Sequence, residues 1–292
     1  MLSHSLTMPM DRKRSRETFR KLNRQLDKLA RKPTAENVHG FRTSSRRVEA
    51  MLEELGSNPG RNHKKLLKLL SRLRKRAGRV RDLDAQIGAL RSLKIPQEPA
   101  RRAQLMRMLI EERTRREKKL VGIFDSETVA EIRKRLKREA NRMKSREQTD
   151  VLALARRRVS QLAADNGPIT EKTLHQYRIV GKRARYLAEL AGKDSAAAKF
   201  IAQLKRMQDV LGDWHDWLQL TARAEKLFGS LPGSPLVAAL RNVTRAKFRQ
   251  AVHALMETRA ALGSKKPSLV EPRGGAGQRL FVRPIASTPA VA

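Results

Sequence analysis

Three observations predict an all-α protein for this chain of 292 residues. Apolar residues recur at three- and four-residue steps over most of its length, no segment alternates with period two, and one stretch occurs twice. The repeat reads Val38-His39-Gly40-Phe41-Arg42-Thr43-Ser44-Ser45-Arg46-Arg47 and, 136 residues later, Leu174-His175-Gln176-Tyr177-Arg178-Ile179-Val180-Gly181-Lys182-Arg183. Each copy has the form apolar, His, any, aromatic, Arg, three residues, cation, Arg, and reaches a glycine 17 positions past its His, at Gly56 and Gly192. The duplication predicts two pseudo-symmetric four-helix bundles, over about 14–124 and 125–262, joined back to back.

Taken in order, residues 1–13 read as a flexible basic arm. Phe19, Leu22, Leu26 and Leu29 then predict an amphipathic helix over Arg16–Ala30 that stops at Pro33. Thr34 is a suitable N-cap for the first motif helix, and Gly56-Ser57-Asn58-Pro59-Gly60 closes it. At about 100° per residue, Val38, Phe41, Ser45, Val48, Met51, Leu52 and Leu55 gather on one arc, which leaves His39, Arg42 and Arg46 as a basic stripe on another. The second copy buries Leu174, Tyr177, Ala184, Leu187, Ala188 and Ala191 and presents His175, Arg178 and Lys182.

A long helix follows each motif helix. In the first half its seam is Leu66, Leu70, Leu73, Ala77, Val80, Ile87 and Leu90, and a cationic ridge of Arg61, Lys65, Lys68, Arg72, Lys75 and Arg79 lacks matching Glu at i±4. After Ile95-Pro96-Gln97-Glu98-Pro99, a fourth helix over 100–123 turns Leu105, Met106, Leu109, Ile110 and Leu120 inward and leaves Arg113, Arg115 and Arg116 to solvent. The second half repeats the plan: a basic helical stretch over 126–165 with a break near Asn141–Gln148, the second motif helix from Thr170, and a long helix over Ala196–Phe228 that contains Arg206. In that long helix Gly212-Asp213-Trp214-His215-Asp216 aligns with Gly78-Arg79-Val80-Arg81-Asp82 at a shift of 134. A last helix runs to Leu262, and the Gly- and Pro-rich 263–292 reads as a disordered tail.

Composition narrows the function. Sixty-five Lys and Arg against 29 Asp and Glu leave a net charge of +36, far more than solubility needs, so a polyanionic partner is expected. Only 4% of residues are aromatic, and Phe41 and Tyr177 lie on buried arcs, which disfavours recognition of single strands by base stacking. Cysteine is absent, which removes disulfides and thiolate metal sites. No secretory leader pattern or run of about 18 apolar residues is seen, and a cytoplasmic location without membrane contact is expected.

The paired His-x-[Phe/Tyr]-Arg-x3-[Arg/Lys]-Arg helices, each followed by a helix carrying Gly-x-x-x-Asp, resemble the CHAD domain, a family named for its histidine-containing helices. The resemblance spans roughly 14–262. It implies one CHAD unit whose basic helices line a central pore or groove that binds inorganic polyphosphate, an association with polyphosphate granules, no catalysis and no cofactor. Carried over by residue, it implies contacts from His39, Arg42, Arg46 and Arg47 and from His175, Arg178, Lys182, Arg183 and Arg185; Arg72, Lys75, Arg79 and Arg206 join them as candidates from the long helices. One position departs from the pattern: where Arg185 stands two residues after Arg183, the first half has Glu49 after Arg47. Some members place the domain after a triphosphate-hydrolysing tunnel domain with a Glu-x-Glu-x-Lys start; none precedes the first repeat, and a stand-alone module is expected.

The residues fit that chemistry. Polyphosphate presents only acceptor oxygens along a repeating chain, so it suits a track of cations more than a shaped pocket, and Arg and Lys both make charge-assisted bonds to phosphate. His39 and His175 have no His or carboxylate at i+3 or i+4 to complete a metal pair, and are expected to donate to phosphate, their pKa rising on binding. Asp209, Asp213 and Asp216 are expected to brace Arg178 or Lys182, with Asp82 and Asp84 serving similarly in the first half; because the first motif helix is paired with the cationic ridge from Arg61 to Arg79, the first half is expected to supply barer charge. Trp214 and Trp217 are assigned to the core. No Gly-rich phosphate loop, Ser-His-Asp set or carboxylate cluster for Mg²⁺ is present in the sequence. The net charge alone also fits a nucleic-acid binder, or a helical scaffold for an acidic protein.

Overall fold

The structure is a computed structural model and describes residues 10–56, 59–143, 149–163, 167–192, 194–229 and 233–262. The expected arm over 1–9, most of the expected break before 149 and the tail from 263 lie outside the described residues. Within them the chain is all-α, with helices α1 (Arg12–Arg31), α2 (Ala35–Leu55), α3 (Arg61–Ser92), α4 (Pro99–Val121), α5 (Ser126–Arg142), α6 (Val151–Ala163), α7 (Glu171–Ala188), α8 (Ser195–Phe228) and α9 (Pro235–Ala261). A 3-10 turn at Glu189–Ala191 continues α7.

Local chemistry sets the boundaries. Thr34 and Thr170 cap the two motif helices in the same way, each hydroxyl accepting from the backbone N–H three residues on, at 3.2 Å in both. Asp125, Asp194 and Ser234 cap α5, α8 and α9. The first helix starts earlier than expected. Asp11 accepts from Lys13 N at 2.7 Å and its own N–H donates to Leu190 O at 2.9 Å, so residues 10–13 are fixed rather than part of an arm.

Buried side chains fall into three clusters. One joins α1, α2, α5 and the first half of α3, around Phe19, Leu26, Phe41, Met51, Leu70 and Ile132. A second joins α6, α7, the first half of α8 and the second half of α9, around Tyr177, Leu204, Trp214 and Phe248. The third is shared: Leu83, Ile87 and Leu90 of α3 and Leu105 and Leu109 of α4 meet Trp217, Leu220 and Phe228 of α8 and Leu236 and Leu240 of α9. At about 1.5 Å per residue, α3 and α8, with 32 and 34 residues, are long enough to serve two clusters each.

Three expectations are corrected by this packing. Ile132 and Leu136 of α5 pack with α1–α3, so α5 belongs with the first core although the duplication groups it after residue 124. Arg113 is not left to solvent, because its guanidinium bonds Asp84 at 2.8 Å and also Glu117. Ile110 is 42% exposed rather than inward. The halves are also tied at their ends: Glu98, held at φ 53° before α4, accepts from Ser234 Oγ at 2.7 Å and Leu236 N at 3.0 Å at the start of α9.

Candidate functional site

The inner helices α2, α3, α7 and α8 touch in a ring, α2 on α7 and α3 on α8. Each buries the arc that its apolar spacing dictates: Val38, Phe41, Val48 and Met51 of α2 and Leu174, Tyr177, Ala184 and Leu187 of α7 have no exposed surface. The polar arcs of α2 and α7 are thereby turned towards each other, and the basic stripes line two adjoining cavities. The larger, of about 580 Å³, is lined by His39, Arg42, Arg46, Arg47, Arg81, Arg178, Lys182 and Arg185, with Lys205, Asp209, Asp213 and Asp216 at its α8 wall. The smaller, of about 260 Å³, shares Arg46, Arg178, Lys182 and Tyr186 with it and adds His175, Arg183, Arg74, Glu49 and Glu53.

Nine of the thirteen sequence-predicted residues therefore come together. Arg72, Lys75, Arg79 and Arg206 do not. They are exposed on the outer faces of α3 and α8, because the ridge on α3 lies opposite the Leu66–Leu70–Leu73 seam that buries that helix.

The cations are of two kinds. Some are neutralised. Arg47 bonds Glu189 through Nε at 2.6 Å and Nη2 at 3.3 Å, Arg185 approaches the same carboxylate at 3.7 Å, and both guanidinium groups lie over the Tyr186 ring. Arg183 pairs with Glu53 at 3.2 Å. Glu49, which replaces the expected cation, takes Arg74 Nε at 2.7 Å and Ser45 Oγ at 3.0 Å; burial holds its carboxyl above the usual range even with Arg74 beside it. The first half's outer position is thus an internal ion pair.

The others are crowded without sufficient counter-charge. Arg178 is only 9% exposed, and the Nε groups of Arg46 and Arg178 are buried with no hydrogen-bond partner. Burial, with Arg46 next, pulls Arg42 down to about 10, and burial with the guanidinium groups of Arg178, Arg46, Arg42 and Arg81 pulls Lys182 down to about 6. His39 and His175 also fall below their ordinary value, first through burial and then through Arg81 and Arg178 respectively. Removing cations from water and packing them together costs free energy unless an anion joins them.

Asp82 and Asp216 are the counter-charges at its base. Arg42 lies 3.7 Å from Asp82, and Arg81 reaches across to Asp216 at 2.8 and 3.0 Å. Although burial raises the Asp216 carboxyl, His215, Arg81 and Arg178 hold it below its ordinary value. The other carboxylates are engaged elsewhere: Asp209 with Lys205 at 2.6 Å, Asp213 with Lys247 at 2.8 Å and Asp84 with Arg113. The expectation that Asp209 and Asp213 brace the second motif helix is corrected accordingly, as are those of Asp84 as a brace in the first half and of barer charge there. Gly78 explains how Arg42 reaches its place, since a Cβ there would stand 2.3 Å from Arg42 Nη1.

Sequence reasoning passed over Arg81 and Arg74. The repeat contained the signal for the first: Arg81 immediately precedes Asp82 in the segment that aligns with Gly212–Asp216, two residues beyond the exposed ridge. Among the described residues no three His, Asp or Glu side chains assemble as metal ligands, and no helix is long and apolar enough to cross a membrane.

A family model of the CHAD domain matches residues 14–225. Among solved structures, the crystal structure of the CHAD domain from the plant Ricinus communis superposes with a TM-score of 0.63 at 16% identity, covering 86% of this chain and 90% of that one. PptA from Streptomyces chartreusis superposes with a TM-score of 0.61 at 16% identity, covering 88% of this chain and all of that one. No curated protein sequence matches the chain.

Proposed function

The chain belongs to the CHAD domain family, and from that premise we propose that it binds inorganic polyphosphate in the cavity between α2, α3, α7 and α8, without catalysing a reaction, and so attaches to polyphosphate granules. The observation that supports this most directly is the set of crowded cations, Arg42, Arg46, Arg178 and Lys182, which have more positive charge and unpaired donors than Asp82 and Asp216 can satisfy. Polyphosphate supplies what they lack: closely spaced acceptor oxygens on a chain thin enough to enter. A DNA duplex, with a major groove alone about 12 Å across, does not fit a cavity of about 580 Å³.

Nucleic acid remains the second reading, supported by the net charge and by the exposed α3 ridge. The two are separated by neutralising the cavity cations (Arg42, Arg46, Arg178 and Lys182 to Gln) and, in a second protein, four ridge cations (Lys65, Lys68, Lys75 and Arg79 to Gln), then titrating each against polyphosphate, duplex DNA and RNA at several salt concentrations. The cavity variant should lose polyphosphate binding, and the ridge variant should keep most of it. Equal losses in both would assign binding to net charge, and DNA binding as tight as polyphosphate at physiological salt would overturn the proposal.

A further inference from the structure

The two motif helices, α2 and α7, place seven cations around the two cavities, and six of them are arginines. Lys182 is the exception; its counterpart in the first half is Arg46. Two lysines line the larger cavity, and their situations differ. Lys205 is exposed and bonded to Asp209 at 2.6 Å. Lys182 lines both cavities, is only partly accessible, and has no carboxylate partner among the described residues. Around it stand Arg42 and Arg46 from α2, Arg178 from α7 and Arg81 from α3, with Asp216 of α8 already taken by Arg81.

An arginine in this setting can only remain a cation, whereas a lysine desolvated beside other cations becomes a free amine and a nucleophile. The same guanidinium groups that disfavour its proton would hold the oxygens of an incoming phosphoryl group next to it. We propose that Lys182 is an acylation site that takes its acyl group from small acyl phosphates whose phosphoryl oxygens are held by Arg42, Arg46 and Arg178. The amine lone pair attacks the carbonyl carbon, and a C–N bond forms. The bond from that carbon to the phosphate oxygen breaks, and phosphate leaves with the electron pair and takes up the proton lost by nitrogen. The product amide is neutral and occupies the cavity, so acylation would weaken the binding proposed above, on whose phosphoryl site this inference rests. Before a donor binds, burial and the four arginines lower Lys182 to about 6, so the amine enters the step largely unprotonated at neutral pH, where an ordinary lysine near 10.4 is almost wholly charged.

The test uses the full chain with acetyl phosphate at pH 7.5 and reads site occupancy over time by peptide mass spectrometry. Lys182 should be acetylated at least about tenfold faster than the exposed Lys65 and Lys68, as its larger free-base fraction requires. Inorganic phosphate should slow Lys182 but not those two. Calorimetry on the acetylated protein should show weaker polyphosphate binding. Acetylation of Lys182 no faster than that of Lys65, or a rate indifferent to phosphate, overturns the proposal even where polyphosphate binds. Failure of polyphosphate to bind the unmodified protein would instead overturn the preceding reading, leaving the acetylation ratio to stand or fall separately.

Discussion

Affinity for long-chain polyphosphate should rise about tenfold per pH unit as pH falls from 9 to 7, and Lys182 should be responsible. In the free protein burial and the neighbouring arginines Arg178, Arg46, Arg42 and Arg81 hold this amine at about 6. A bound polyanion would restore it towards the ordinary value near 10.4. The pKa of the complex therefore exceeds that of the free protein, so binding takes up a proton between the two values and is favoured as pH falls through that window. With a free value of about 6, only about one molecule in ten carries the charge at pH 7 and one in a hundred at pH 8. His39 and His175, both below 6.5 when free, would add to the slope between those lowered values and the higher ones they take in the complex. The assay is isothermal calorimetry at pH 6, 7, 8 and 9 in paired buffers of different ionisation enthalpy, so that proton uptake is read directly. Lys182→Arg, which installs the residue found at position 46, should bind at least as tightly at pH 7 and lose most of the slope above it. A flat wild-type response from pH 7 to 9, or an unchanged slope in Lys182→Arg, would refute the reasoning.

Three more outcomes follow from the same geometry. The unfolded chain binds more protons at Lys182 than the folded one between about 6 and 10.4, so ligand-free stability should increase as pH rises from 7 to 9; Lys182→Met should raise Tm by a few degrees and abolish that trend while weakening binding, as read by thermal melts and calorimetry. Gly78→Ala would place a Cβ 2.3 Å from Arg42 Nη1 and push that guanidinium off Asp82, reducing affinity about tenfold, while Tm holds or rises because Ala favours a helix by up to about 1 kcal/mol; Gly212→Ala, with nothing within 4 Å, should change affinity little. Glu189→Gln would release Arg47 and Arg185 from their shared carboxylate, so polyphosphate should bind several-fold tighter at a stability cost of about 1 kcal/mol.

The helices and their buried faces were legible because spacing alone decides which arc can leave water: Val38, Phe41, Val48 and Met51, or Leu174, Tyr177 and Leu187, needed no tertiary information. The facing of the two stripes was implied by the resemblance to the CHAD domain. What escaped were pairings set by neighbouring helices. Arg113 reads as a solvated residue within α4, yet Asp84 of α3 lies against it. Asp209 and Asp213 share the helix of Asp216 but not its direction, and bond Lys205 and Lys247 instead. Glu49 looked like a lost contact and is an ion pair with Arg74, whose partner no local pattern reveals. The attachment of α5 to the first core likewise depends on where a chain of ordinary amphipathic spacing finds space.

The third apolar cluster is owned by neither half, since α3 and α4 supply one side and α8 and α9 the other, with Glu98 fastening the start of α9 to the start of α4. The gap between the two histidine helices therefore has its gauge set by packing well away from it. Under the proposed function such an opening would select by thread width: a bare chain of phosphates would enter at the calibre that this packing dictates, and a bulkier anion would be turned away at the rim however strongly it is attracted.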